Sequence, residues 1–220
     1  MKAYRKIVRP ILFNLSAKSA QDVGHWVFGR TTLWRILRNR FSVKNERLNS
    51  QLLGLPVENP VGLAAGYDKN CRLIESMESL GFGFLTVGSI MPEPRIGNPI
   101  PNLIRYEKIE SLVNSLGLPS EGLNSCLSRL QSSSTYVPVI ASVGAFNIVD
   151  FVKCCNSLAA YVDGLELNVS CPNLTDGREF ENLYLLDELL NKLRELRKPV
   201  SIKISPYFSD KERHEKIELV

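Results

Sequence analysis

The chain has 220 residues, 44% of them hydrophobic and 23% charged, enough apolar material for a sizeable core and too little bias for a disordered or fibrous chain. Its five cysteines, Cys71, Cys126, Cys154, Cys155 and Cys171, are odd in number and lack CxxC spacing, which argues against a disulfide framework or a zinc site and favours a reducing compartment. The net charge of +4 is divided unevenly: residues 1–47 hold eleven Lys and Arg against Asp22 and Glu46, about +9, which leaves about −5 for the rest.

Taken in chain order, the first segment reads as short amphipathic helices. Apolar residues recur at helical spacing in Ile7, Ile11 and Leu15, then Val23, Trp26 and Val27, then Leu33, Ile36, Leu37 and Phe41. Pro10 should start or kink a helix, and Thr31 and Thr32 are cap candidates for the last one. Trp26 and Trp34, with Phe13, Phe28 and Phe41, stand among the basic residues, a pairing that suits a membrane surface. The same faces would also serve for packing on a domain. No run is long enough to span a bilayer, and the stretch at 11–15 is too short for a signal-peptide core, so a peripheral location on the cytoplasmic face of a bacterial-type cell membrane is expected. A cytoplasmic location is the alternative. No nucleic-acid partner is expected. The two histidines, His25 and His214, lie far apart in basic segments, so surface positions and no metal site are expected.

Beyond residue 50 the texture changes to short β-branched runs, each followed by a helical pattern. Strands are expected at 61–65, 83–89, 137–143, 164–169 and 200–205, and helices near 72–80, 121–130, 147–160 and 183–196. This βα alternation implies a parallel sheet, doubly wound or closed as a barrel. Polar, glycine and cysteine residues gather after the strand ends, as at Gly66, Asp68, Lys69, Ser89 and 168–173, where a barrel assembles its site. No GxGxxG follows any strand, which weakens a dinucleotide-binding reading.

Three of these clusters can carry chemistry. Ala64, Ala65 and Gly66 at a strand end leave the backbone free to lie against a planar ligand, with Lys69 available for an anion. The alternative is an ordinary βα turn with a solvated lysine. Asn168 and Asn173 flank Ser170 and Cys171 on a turn fixed by Pro172. That arrangement sets hydrogen-bonding groups for a polar heterocycle beside a thiol able to take a proton. Lys203 alternates with Ile202 and Ile204, so it either faces a barrel interior, where its charge needs compensation, or reaches solvent from an edge.

The segments 59–70, 82–105, 114–122, 168–173 and 202–206 occur in the order and spacing of dihydroorotate dehydrogenases, and the chain resembles that family over about residues 50–208. The helical extension at 1–47 is similar to that of the membrane-associated, quinone-reducing class. The resemblance implies a (βα)8 TIM barrel at 48–220, FMN as cofactor, and oxidation of dihydroorotate to orotate in pyrimidine synthesis with electrons passed to a quinone. It makes Ala64, Ala65, Gly66, Ser89, Asn168 and Lys203 FMN contacts. Lys69, Asn114, Gly117, Leu118, Asn168 and Asn173 would hold the substrate. Cys171 would be the base at C5 of dihydroorotate, and Lys203 would stabilise the reduced flavin. The loop at 114–122 would close over the site.

Two departures accompany the resemblance. Cysteine as the base and the loop at 114–119 are similar to the soluble classes rather than the quinone class, and Ser142 stands where many relatives carry a flavin-binding asparagine, so its hydroxyl is expected to replace part of that FMN contact. A (βα)8 barrel needs about 250 residues, so about five of eight βα units are expected here, in a truncated chain or one that needs a complementary polypeptide. A related FMN barrel acting on another pyrimidine, or an inactive fragment that retains lipid attachment, are the alternatives.

Overall fold

The computed structural model describes residues 4–169, 180 and 182–204. Cys171, Asn173 and His214 therefore lie outside the described residues, as does the end of the strand expected at 200–205. After a π-helical turn over Tyr4–Val8, the extension forms α1 (Arg9–Phe13), α2 (Ala17–Phe28) and α3 (Thr31–Phe41). Pro10 sits in the first turn of α1, where its missing N–H costs nothing. Ser16 caps α2 by accepting from the Ser19 N–H at 3.0 Å. Thr31 and Thr32 do not cap α3: its N-cap is Arg30, with no side-chain bond, and Thr31 already lies inside the helix.

An antiparallel hairpin follows, β1 (Ser50–Leu52) and β2 (Leu55–Val57), turned at Leu53 and Gly54 with φ of 54° and 78°. Next come β3 (Gly62–Leu63), α4 (Ile74–Ser79) and β4 (Phe84–Ile90). A second antiparallel hairpin, β5 (Leu103–Tyr106) with β6 (Ser111–Asn114), then leads to α5 (Leu123–Ser132). The chain continues through β7 (Val139–Val143), α6 (Ile148–Leu158), β8 (Gly164–Asn168), α7 (Leu183–Leu193) and β9 (Val200–Lys203).

The principal sheet has the order β3-β4-β7-β8-β9, every pairing parallel, so five consecutive βα strands stand side by side in chain order. Alternation along these strands divides their side chains between two faces. Ala141 is in register with Leu165, and Val143 with Leu167, and all four are fully buried beside Phe151, Cys154, Cys155, Leu158, Leu186 and Leu189 of α6 and α7. Burying each of these leucines is worth about 1.5–3 kcal/mol. The other face carries Ser142, Glu166 and Ser201 in one row, then Asn168 and Lys203 in the next. That polar face is the interior of a barrel.

The extension is fastened to this frame by α3, which packs on α4. Arg35 pairs with Glu75 at 3.0 Å, and Arg38 pairs with the buried Glu78 at 3.2 Å. Phe28 and Trp34 stack 4.9 Å apart, and Phe28 meets Tyr67 of the turn after β3 edge to face. Trp26 (64% exposed) and Ile36 (76%) point away from the frame. Packing on the domain thus engages Phe28 and Trp34, while Trp26 and Ile36 take no part in it.

Candidate active site

The turn after β3 is laid across the end of β4. Gly66 donates its N–H to the Gly88 carbonyl at 2.7 Å, and Gly88 donates to the Asp68 carbonyl at 2.9 Å. Asp68 is buried and accepts from the N–H groups of Arg72 and Leu73, both at 2.8 Å, which seats the start of α4. Burial pushes its carboxyl above the ordinary range in spite of those donors. Gly66 has φ 104°, and nothing lies within 4 Å of where its Cβ would stand. With Ala64 and Ala65 before it, the turn presents a strip of backbone free of large side chains.

Lys69 is half-buried and donates its ammonium to the Gly66 carbonyl. Burial lowers its pKa, the charge of Lys18 on α2 works in the same direction, and Asp68 opposes both. Its neighbour Cys71 takes φ 55° and hydrogen-bonds through its thiol to Cys126 of α5, which raises the Cys71 thiol and lowers that of Cys126.

Three expected flavin contacts from three strands meet in one network. Asn168 at the end of β8 donates to the Ser89 hydroxyl of β4 at 2.8 Å, and Ser89 shares a 3.0 Å bond with Ser142 of β7. Ser142 is fully buried, so its hydroxyl is committed to Ser89. Lys203 lies opposite Asn168 in the β8–β9 register and is exposed. Small, polar and cationic groups therefore share one end of the sheet, as the sequence reading expected.

The loop at 114–122 is tied down along its length. Asn114 ends β6 and is exposed, whereas Gly117 is buried. Gly117 and Leu118 take φ of 70° and 53°. A Cβ on Gly117 would fall 2.3 Å from the Asn98 side-chain oxygen, so the glycine is required there. Arg95 donates to the Gly117 carbonyl at 2.8 Å, and its backbone exchanges two bonds with Ser120, at 2.8 and 2.9 Å. Leu118 reaches the end of β7, since a Cβ on Gly144 would meet the Leu118 Cδ1 at 3.4 Å and the Ser89 Cβ at 3.6 Å. Leu118 is thereby brought near Ser89.

Asn70, Arg95 and Glu121 lie within the family-like segments 59–70, 82–105 and 114–122 but carry no role expected from them. Glu121 accepts from Arg72, Arg129 and the Asn70 carboxamide, and the Arg72 bond leads in holding its carboxyl below the usual range. Asn70 and Glu121 are 51 residues apart, so no local pattern could reveal the pair.

A cleft of about 880 Å³ opens between α2 and this rim, lined by Gln21, His25, Lys69, Asn98, Pro119 and Glu121 among others. His25 is not the surface residue the sequence implied. It is half-buried, its ring edge to face with Tyr67 at 5.2 Å, and its Nε2 is buried without a partner among the described residues. Burial lowers its pKa, with Lys69 adding to the effect, so the neutral imidazole is favoured. No cluster of three metal-ligating side chains occurs among the described residues.

A family model described as Dihydroorotate dehydrogenase matches residues 47–220. Proteins named dihydroorotate dehydrogenase (quinone) from Christiangramia forsetii, Nitratiruptor sp. and Natronomonas pharaonis are each 31% identical over 99%, 92% and 98% of this chain. The chain spans 68%, 62% and 65% of their respective lengths. Among solved structures, the Eimeria tenella DHODH in complex with ferulenol superposes with a TM-score of 0.78 at 23% identity, covering 93% of this chain and 63% of that one. The ligand-free form superposes with a TM-score of 0.75 at 24% identity, covering 86% and 64%. These structural likenesses establish the fold, that of a barrel of which this chain carries part.

Proposed function

The chain belongs to the dihydroorotate dehydrogenase family, and on that premise we propose that it serves the oxidation of dihydroorotate to orotate in pyrimidine synthesis, with FMN as cofactor and a quinone as final acceptor. The observation that carries this reading is the junction of Asn168, Ser89 and Ser142 beside the open backbone strip at Gly66.

The residues present fit a flavin. The turn at Ala64, Ala65 and Gly66 leaves open space that a Cβ on Gly66 could enter unopposed, so a flat ring can approach the backbone. Ser89 and Asn168 offer hydroxyl and carboxamide groups from one buried edge, and Lys203 stands in the same row as Asn168. When bound, FMN supplies the acceptor for the hydride leaving C6 of dihydroorotate.

The chain's own side chains do the rest. Lys69 supplies a cation for the substrate carboxylate, and a substrate without that carboxylate forfeits a charge-assisted bond. Asn114, Gly117, Leu118, Asn168 and Asn173 surround the ring in this reading. Cys171 removes the proton from C5 as its thiolate, a role worth about 10²–10⁴-fold in rate. The anchored loop at 114–122 keeps water from the reacting atoms.

Quinone as acceptor accords with the names of the relatives and with the cleft between α2 and the Lys69 turn. The exposed Trp26, Leu33 and Ile36 and the basic residues of 1–47 would hold the extension on the cytoplasmic face of a membrane. Among the described residues no helix is long and apolar enough to cross one.

The test is spectroscopic and kinetic. The purified protein should bind FMN, its flavin absorbance should bleach on anaerobic addition of dihydroorotate, and a short-chain quinone should restore it. Cys171→Ala should abolish bleaching on the turnover timescale while flavin stays bound. Full turnover by that variant, or a flavin that dihydroorotate leaves oxidised, would sink the reading.

A further inference from the structure

We propose that Glu121 is a positioning residue: with Asn70 and Arg129 it clasps the root of the 114–122 loop to the Lys69 turn and so sets the distance across which substrate is held. The proposal rests on the function argued above and assigns a role to three residues outside the expected contacts.

The loop and the turn belong to different parts of the chain. The turn follows β3, whereas the loop follows the β5–β6 hairpin, and most of its described bonds run to the segment at 91–102. Arg95 holds Gly117 and Ser120, the Ser120 hydroxyl accepts from the Met91 N–H at 3.2 Å, and Asn98 donates to the Leu116 and Ser115 carbonyls at 2.9 Å. Those bonds fix the loop against the end of β4 but not against Lys69.

The bonds from the loop to the turn run through Asn70 and Glu121. The Asn70 carboxamide donates to Glu121 Oε1 at 3.1 Å and accepts from the Glu121 N–H at 3.0 Å, so side chain and backbone of the loop residue are both engaged. Arg129 of α5 closes the figure: one guanidinium nitrogen donates to the Asn70 carbonyl at 2.8 Å and the other to Glu121 Oε2. Arg72 adds a two-pronged grip on the same carboxylate, its Nε donating to Oε1 at 3.1 Å and its Nη2 to Oε2 at 2.9 Å. Lone surface ion pairs contribute little. This one differs because a reciprocal carboxamide bond and a bidentate guanidinium fix it in direction as well as distance.

Asn70 is the residue next to Lys69, so the carboxylate that holds Asn70 also limits where the Lys69 backbone can sit. The clasp acts on binding, through Lys69 and the loop, and not on proton removal.

The experiment uses the whole chain with Glu121→Ala, Glu121→Gln and Arg129→Lys. Hydrogen exchange of the amides at 115–120 should speed up by about tenfold or more in Glu121→Ala while those of β7 and β8 stay as in the wild type. The KM for dihydroorotate should rise by about tenfold or more with kcat and flavin content little changed. Glu121→Gln, which keeps an acceptor for Asn70, should fall between. Arg129→Lys, which keeps charge but loses the fork, should resemble Glu121→Ala. Unchanged exchange at 115–120, an unchanged KM despite faster exchange there, or a loss confined to kcat would each overturn the proposal. Faster exchange throughout the protein in Glu121→Gln as well as Glu121→Ala would reduce the carboxylate to a fold stabiliser and equally overturn it. Should the wild type fail to oxidise dihydroorotate, the functional reading falls by itself, and exchange at 115–120 alone decides whether the clasp exists.

Discussion

The Asn168 carboxamide and the Ser89 hydroxyl, 79 residues apart in sequence, lie 2.8 Å from each other and join the ends of β8 and β4 across β7. Ser89→Ala would strand the Asn168 donor and the buried Ser142 hydroxyl together. A buried polar group left unpaired costs about 1–3 kcal/mol, so urea unfolding should show a loss of that order. Removing Ser142 as well should cost less than the sum of the two single changes, because the groups share one network.

Lys69 provides a pH test. Its ammonium is held below the ordinary value of 10.5, mainly by burial. In the role proposed for it only the charged form can bind the substrate carboxylate, and that form is present below the depressed pKa and lost as pH rises through it. The KM for dihydroorotate should therefore climb on the alkaline side before pH 10.5, ahead of an exposed lysine. Lys69→Arg should move that alkaline limb upward, since a guanidinium stays charged; a KM profile that is the same in both proteins would exclude Lys69 as the cation.

The Glu121 carboxyl titrates in the opposite sense. Held below its usual 4.5, first by Arg72, it contributes stability that is fully present above that pH and is lost as pH falls through the depressed value. The free energy of local opening at 115–120, read by hydrogen exchange corrected for the intrinsic rate, should differ most between the wild type and Glu121→Gln above pH 4.5 and converge in stronger acid. A gap that persists unchanged in acid would point to a role other than charge.

On the extension, Trp26 and Ile36 are exposed, and Trp26 stacks under Arg30 at 4.5 Å. Replacing both with serine should reduce pelleting with anionic liposomes severalfold while shifting stability by no more than about 0.5 kcal/mol, as expected for exposed positions. Equal pelleting of the variant and the wild type would remove these faces from the membrane contact.

The βα alternation was legible because each strand is a β-branched run and each helix an amphipathic one, and all five expected strands form, though β3 pairs over only Gly62 and Leu63. The two hairpins were not legible. Leu53 and Glu110 occupy left-handed turn positions with φ of 54° and 48°, where sequence favours glycine or asparagine, and Pro56 lies inside β2. Ser89 and Asn168 stood out as polar residues at the C-terminal ends of apolar strands, and Lys69 because it follows one. Asn70, Glu121 and Arg129 did not, since their meaning arises only when residues about fifty positions apart touch. His25 was misread because a histidine in a basic amphipathic helix looks solvated until Tyr67 is found beneath it.

The chain-order arrangement of β3, β4, β7, β8 and β9 bears on how the protein is made. Each strand of the principal sheet after β3, on leaving the ribosome, finds a partner already made, so pairing can proceed in the direction of synthesis. Lys69 and its turn can be in position early, and the strand carrying Asn168 can dock onto a surface that Ser89 and Ser142 have already formed.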